Sequence, residues 1–141
     1  IYISYFLKKN QIEYYDRISE VRRTGNYEQW VVFFLEAVSA AAKDSLDTIE
    51  QLSALHDNNI ALLPKTNRKV DNVRILFDYI EKYPIIDIIH TSQQLGVSYN
   101  TISNAVRKLQ ELGILSETTN SARNKVFAYS KYLDILKKDT N

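Results

Sequence analysis

Four polar side chains between positions 99 and 108 are spaced so that one face of a helix would present them together. Steps of three, one and three residues separate Asn100, Ser103, Asn104 and Arg107, and residues three or four apart share a helix face. An Asn amide can pair bidentately with adenine, and an Arg guanidinium with guanine. The spacing therefore predicts a strip that reads base edges in the major groove from the N-terminal end of a helix, where the helix dipole also favours a phosphate.

Two further pairs of residues are predicted to contact the phosphate backbone. Tyr99 and Thr101 stand at the start of the same helix, where their hydroxyls can reach phosphates. Arg123 and Lys125 lie in and beside the polar loop TTNSARN, in position for the neighbouring minor groove or its phosphates. The alternative interpretation is an ordinary solvated helix face with a basic, solubilising loop, and the surrounding elements help to decide between the two.

The opposite face of this helix is apolar. Ile102, Val106 and Leu109 follow one another at steps of four and three residues, so we expect them to pack on the helices that come before. Ser98 is an N-cap residue at the start of the helix, and Gly113 ends it.

The elements around that helix have the order of a winged helix-turn-helix. Residues 67–84 have helical periodicity, with Thr66 and Asn67 offering a cap, and residues 85–90 form either a short strand or the start of a helix. The segment TSQQLG is a short helix stopped by Gly96. The segment ILSETTNSARNKVFAYS has two β-capable runs around a polar loop and predicts a hairpin, and KYLDILKK predicts a final helix.

The first part of the chain is predicted to be helical throughout, with a break at Gly25. A stretch of more than thirty residues without Gly or Pro follows that break, and the helix-stopping residues 57–59 and Pro64 come at its end. We therefore predict a mainly α protein with a helical region over 1–62 and a winged helix-turn-helix domain with a small β-hairpin over 63–141. The apolar first half of the long helix needs partners, which predicts an interface or the tail of a larger helical domain.

Composition excludes several classes of site. The chain has no Cys and only two distant His residues, so we expect no catalytic thiol and no metal site. Net charge is +1, with a mildly basic second part that is compatible with an anionic partner such as DNA. No signal peptide or membrane-spanning run is present, which predicts a cytoplasmic protein without membrane contact. Because the chain lacks Met and opens on Ile1, we expect a fragment of a longer protein.

The helical part resembles the Fic family of proteins. The stretch YISYFLKKNQIEYYDRISEVRRTGNYEQWVVFFLEAV is similar to the segment that follows the Fic catalytic loop, which has the pattern YLSYYLKKNRxEYYxxLxxVRxxGxWExWxxFFLxxV. The wing and tail, ARNKVFAYSKYLDIL, resemble the winged helix at the end of many such proteins. The resemblance covers nearly the whole chain in consistent order.

This resemblance implies a parent protein that transfers AMP from ATP to a hydroxyl of a target protein, with magnesium. The family's activity depends on a loop of the form HPFx(D/E)GNGRxxR, and the chain has no His-Pro pair and no Gly-rich loop. No catalytic residue can be carried over, so the chain alone is expected to be inactive and to need no cofactor. ATP and magnesium belong to the parent enzyme.

Two functions from different classes remain open at the sequence level. The first is a regulatory DNA-binding region of a Fic adenylyltransferase. The second is a protein-protein interaction module that forms a homodimer through the long helix or presents target proteins to the enzyme.

Overall fold

The computed structural model describes residues 3–65, 71–119 and 124–137. Within those ranges the chain forms seven helices and one three-stranded antiparallel sheet, which confirms the mainly α class. The helices are α1 (Ile3–Lys9), α2 (Gln11–Thr24), α3 (Glu28–Leu62), α4 (Asn72–Ile80), α5 (Ile88–Leu95), α6 (Tyr99–Glu111) and α7 (Ser130–Lys137). The strands are β1 (Ile85–Asp87), β2 (Ser116–Glu117) and β3 (Val126–Ala128).

The chain separates into two compact units, and the division falls inside α3. The first unit extends to Gln51 and includes Lys137, and the second is Leu52–Leu136. In the first unit α2 ends where Gly25 adopts a left-handed φ of 72°, with its N–H bonded to the Val21 carbonyl, as the sequence predicts. The helix that follows has a buried face built from Phe33, Ala37 and Ala41, because steps of four residues bring side chains to one side.

α3 does not end at the first predicted helix-stopping residues, 57–59, but just before the second, Pro64. It continues through Asp57–Asn59 to Leu62, and Asn59 is buried at 5% exposure. The Asn59 Nδ2 donates a hydrogen bond to the Tyr129 hydroxyl at 2.6 Å. A polar residue that would favour a turn is thus held in the helix by a distant partner within the second unit.

A second polar contact in this unit also involves the end of α3. Nδ1 of His56 lies 2.6 Å from Oε1 of Glu81, and its ring centroid is 5.8 Å from that of Phe77. His56 is therefore partly buried against α4 and Glu81, the residue that follows α4.

The core of the second unit lies between α4, α6 and the sheet. Its buried members are Leu76, Phe77, Ile80, Ile86, Ile102, Ala105, Val106, Leu109, Ile114, Leu115, Phe127 and Tyr129. α4 begins at Asn72, since Oδ1 of Asp71 accepts hydrogen bonds from the backbone N–H groups of Val73 and Arg74 at 3.1 and 3.2 Å. The cap expected from Thr66 and Asn67 falls on residues outside the described ranges.

The sheet has the order β1-β3-β2, with both pairs antiparallel. Phe127 of β3 lies opposite Ile86 of β1 on one side and Glu117 of β2 on the other. Residues 85–90, predicted as either a short strand or the start of a helix, contain both: the strand β1 covers Ile85–Asp87, and α5 begins at Ile88. The last strand in sequence is the central strand of the sheet.

Candidate nucleic-acid interface

α6 carries the predicted strip, and its own sequence sets where it begins and how it is rotated. The Ser98 hydroxyl accepts a hydrogen bond from the Thr101 backbone N–H at 3.2 Å, which satisfies one of the amide groups that have no partner inside the helix. The apolar face is almost completely buried and consists of Ile102, Ala105, Val106 and Leu109. Because this face is fixed by the core, the opposite face must point to solvent.

The polar strip lies on that solvent face. Asn100, Asn104 and Arg107 are exposed, and Ser103 is partly exposed. Within the described ranges no hydrogen bond or ion pair occupies any of these four side chains. Their donors and acceptors can therefore engage an external partner without first breaking an internal bond.

Tyr99 and Thr101, the two predicted phosphate contacts on α6, have different environments. The Tyr99 side chain is 53% exposed at the first position of the helix. The Thr101 hydroxyl lies 2.8 Å from the Ser98 hydroxyl and belongs to the capping interaction. Tyr99 is thus the more accessible of the two to a phosphate, whereas Thr101 already stabilises the start of the helix.

The charge on α6 is uneven along its length. Arg107 carries a guanidinium without an ion-pair partner among the described residues, whereas the Lys108 ammonium lies 3.4 Å from the Glu111 carboxylate. The C-terminal turn is therefore close to neutral. The available positive charge of α6 is at Arg107 and at the amide groups of the N-terminal turn.

The strands β2 and β3 flank the predicted wing loop. Lys125 immediately precedes β3, and its Nζ lies 3.1 Å from Oε2 of Glu117 on β2. Arg123, the other predicted wing contact, lies outside the described residues. The structure thus places Lys125 beside the hairpin, as expected, but with its charge paired.

Glu117 is the residue that the sequence analysis did not identify. Its carboxylate is near Lys125 because β2 and β3 pair in the register Glu117↔Phe127, which brings positions two residues apart across the strands within reach of a long side chain. Once the hairpin register is assumed, the acidic residue in one arm and the Lys at the start of the other indicate this pair.

No protein-family model matches the chain. In the part of the chain that the structure describes, no three His, Asp or Glu side chains are grouped closely enough to hold a metal ion. None of the described helices combines the length and the apolar character that crossing a membrane requires.

Proposed function

We propose that the chain is the C-terminal regulatory region of a cytoplasmic Fic family protein adenylyltransferase, and that its second unit is a winged helix-turn-helix that binds DNA. The observation that carries the DNA-binding part is the strip on α6. Asn100, Asn104 and Arg107 are exposed, have no partner among the described residues and face away from the core. Short amides and one guanidinium at the N-terminal half of a helix are suited to base edges in the major groove.

The order of elements supports the winged helix-turn-helix part of the proposal. α4, β1, α5 and α6 are followed by β2 and β3, and β3 lies between the other two strands. Gly96 links α5 to α6 with a left-handed φ of 62°, a conformation that makes the tight turn between the two helices. In this arrangement α6 is the recognition helix and the β2–β3 loop is the wing.

The Fic assignment rests on the sequence resemblance over the helical part and the wing. The parent enzyme transfers AMP from ATP to a hydroxyl of a target protein with magnesium, through a loop of the form HPFx(D/E)GNGRxxR that this sequence lacks. The described residues also offer no cluster of metal-binding side chains. We therefore assign no step of the AMP transfer to a residue of this chain.

Duplex DNA binding by the intact chain tests the proposal. A labelled duplex of mixed sequence is titrated by fluorescence anisotropy over a series of salt concentrations. The affinity should fall as salt rises, with a slope of about −0.9 per neutralised phosphate on a logarithmic plot. Arg107→Ala should weaken binding, because α6 then loses its one unpaired guanidinium.

A matched variant separates specific contact from a general loss of charge. Arg23→Ala also removes one guanidinium from an exposed helical position, on α2, where Arg23 pairs with Glu20. It should leave DNA affinity unchanged. Absence of binding at every salt concentration, or equal losses for the two variants, would contradict DNA binding through α6.

AMP transfer by the chain alone tests the other part of the proposal. With ATP, magnesium and a cell extract as the source of target proteins, the chain should label no protein with AMP. Labelling that depends on the chain would show that the catalytic residues lie within it, and the assignment as a non-catalytic region would be wrong.

A protein-interaction module is the second candidate, and a specific surface favours it. Large apolar side chains on the part of α3 that belongs to the first unit remain exposed by 45–61%, namely Val31, Val32, Leu35, Leu46 and Ile49. Exposed apolar patches of this kind mark interfaces. If the chain forms homodimers through α3, sedimentation velocity should show association that increases with concentration and is lost in Leu46→Glu. An unchanged monomer in both proteins would leave this candidate without support.

A further inference from the structure

We infer that α6 reads two adenines and one guanine, in that order along the helix, through Asn100, Asn104 and Arg107. This inference rests on the proposed DNA-binding function and adds the bases that the same site prefers. Of the four side chains of the strip, the two Asn amides and the Arg guanidinium can each make a bidentate contact with a base edge.

The spacing of these three residues sets the register. Asn100 and Asn104 are four positions apart on one continuous helix, which separates them by about 6 Å along the axis. Base pairs stack about 3.4 Å apart along the duplex axis. Because a helix that follows the groove runs obliquely to that axis, the two amides would face positions about one to two base pairs apart. Arg107 lies about 4.5 Å further on, and its longer side chain spans the remaining distance to the next one or two base pairs.

The side-chain chemistry selects the bases. An Asn amide donates to N7 and accepts from N6 of adenine in one bidentate contact, and an Arg guanidinium donates to O6 and N7 of guanine. All three side chains are exposed and have no internal partner among the described residues. The amides and the guanidinium are therefore accessible for these contacts.

The same strip offers no acidic group for cytosine. Cytosine presents a donor, and Glu or Asp is the side chain that accepts from it. Among the residues of α6 the one carboxylate is Glu111, which lies in the last turn and pairs with Lys108 at 3.4 Å. Ser103 can donate or accept and so discriminates little between bases.

Selection from duplexes with a randomised core, using the intact chain, tests this inference. The selected sequences should share two adenines about one to two positions apart, followed by a guanine within the next two positions. Asn104→Ala should abolish the preference at one adenine, and Arg107→Ala the preference at the guanine. At the affected position the affinity ratio between preferred and other bases, expected to be about fivefold or more, should fall to near one.

Gln110→Ala is the matched control, because it removes an amide side chain from the last turn of α6, outside the strip. Its selected sequences should equal those of the unmodified chain, and thermal melts should show that all three variants fold. Salt-dependent binding without a base preference, or a preference that the Asn104 and Arg107 variants leave unchanged, would overturn this inference but not DNA binding. Absence of duplex binding at any salt concentration would overturn both.

Discussion

The hydrogen bond between Asn59 and Tyr129 joins two residues that are both buried in the second unit. Tyr129 is 0% exposed, and a buried phenol needs a partner for its hydroxyl. Asn59 supplies that partner from α3. An unpaired polar group at this depth would lose its hydration without replacement, so each of the two residues depends on the other.

Removing one partner should therefore cost more than removing both. In Tyr129→Phe the Asn59 amide is left buried without its acceptor, and we expect the free energy of unfolding to fall by about 1–3 kcal/mol. The double variant Asn59→Leu, Tyr129→Phe replaces both polar groups by apolar ones and should recover part of the loss. Urea denaturation measures the unmodified chain, the single variants Tyr129→Phe and Asn59→Leu, and the double variant, and a double variant that loses the sum of the single losses would contradict this coupling.

The same phenol should make the stability depend on pH in the alkaline range. Burial raises the pKa of Tyr129 above its ordinary value of 10.0, the Glu81 charge raises it further, and the hydrogen bond from Asn59 opposes both. Above pH 10 the unfolded state has lost a proton that the folded state keeps, so the free energy of unfolding falls as pH rises through the folded pKa. Well below pH 10 both states keep this proton, so Tyr129 does not make the free energy of unfolding depend on pH there.

Urea denaturation at pH values from about 9 to 11 checks this expectation. Tyr129→Phe should show a smaller fall than the unmodified chain over that range. Part of the fall should remain, because burial also raises the pKa of Tyr79. Equal slopes for the two proteins would mean that the Tyr129 phenol titrates alike in the folded and unfolded states.

At the scale of elements, features that depend on neighbouring residues could be predicted from the sequence. Features that depend on residues far along the chain could not. The Ser98 cap of α6 and the break at Gly25 depend on neighbouring residues only, and the structure confirms both. The continuation of α3 past Asn59 depends on Tyr129, which lies 70 residues away, so local propensity favoured a turn there. The α6 strip followed from periodicity alone, whereas the pairing of Lys125 with Glu117 required the hairpin register.

Gly96, in the turn between α5 and α6, allows the cost of a left-handed backbone to be measured, because a larger side chain at this position would not collide with its neighbours. Gly96 has a φ of 62°, and a Cβ added there would meet no heavy atom within 4 Å. Gly96→Ala should therefore cost about 1–2 kcal/mol from the left-handed backbone alone, and Gly96→Asn should cost less, since Asn tolerates this conformation better. Thermal melts measure both, with Gln93→Ala at an exposed position of α5 as a control that should change little. Equal stability of Gly96→Ala and the unmodified chain would contradict the assigned φ.

If the chain binds DNA as proposed, breaking the ion pair at the hairpin should increase its affinity. Glu117→Gln removes the carboxylate that pairs with Lys125 at 3.1 Å and leaves the ammonium available to a phosphate. We expect a few-fold increase in affinity and a steeper salt dependence by about one phosphate, measured by anisotropy. Asp78→Asn is the control, because it removes the same charge from the exposed pair with Arg74 on α4. If both variants raise the affinity equally, the gain reflects net charge and not the wing.

At the scale of the whole molecule, the division inside α3 determines where a stable fragment of the second unit should begin. The predicted boundary at 62/63 separates α3 from the rest, whereas the second compact unit begins at Leu52. The turns of α3 after Leu52 contribute His56, which lies 2.6 Å from Glu81, and Asn59, which bonds to Tyr129. A fragment without them loses both contacts.

Two fragments test this division. Residues 52–141 should unfold cooperatively, and residues 63–141 should be less stable by at least about 1–3 kcal/mol, because Tyr129 and Glu81 then lack their partners. Urea denaturation followed by circular dichroism measures the difference. Equal stabilities would mean that the end of α3 adds nothing to the second unit and that the boundary at 62/63 is the better one.

The position of β3 in the sheet also determines when this unit can be completed on the ribosome. In the sheet, β3 lies between β1 and β2 and pairs with both of them. β3 and Tyr129 are synthesised after both of these strands. At about 5–20 residues per second, the 70 residues between Asn59 and Tyr129 take about 4–14 s to translate. During about the last quarter of that time, after Glu111 has been added, the nascent chain holds α3, α4 and α6 without the strand that closes their core, and its apolar side chains are accessible to chaperones.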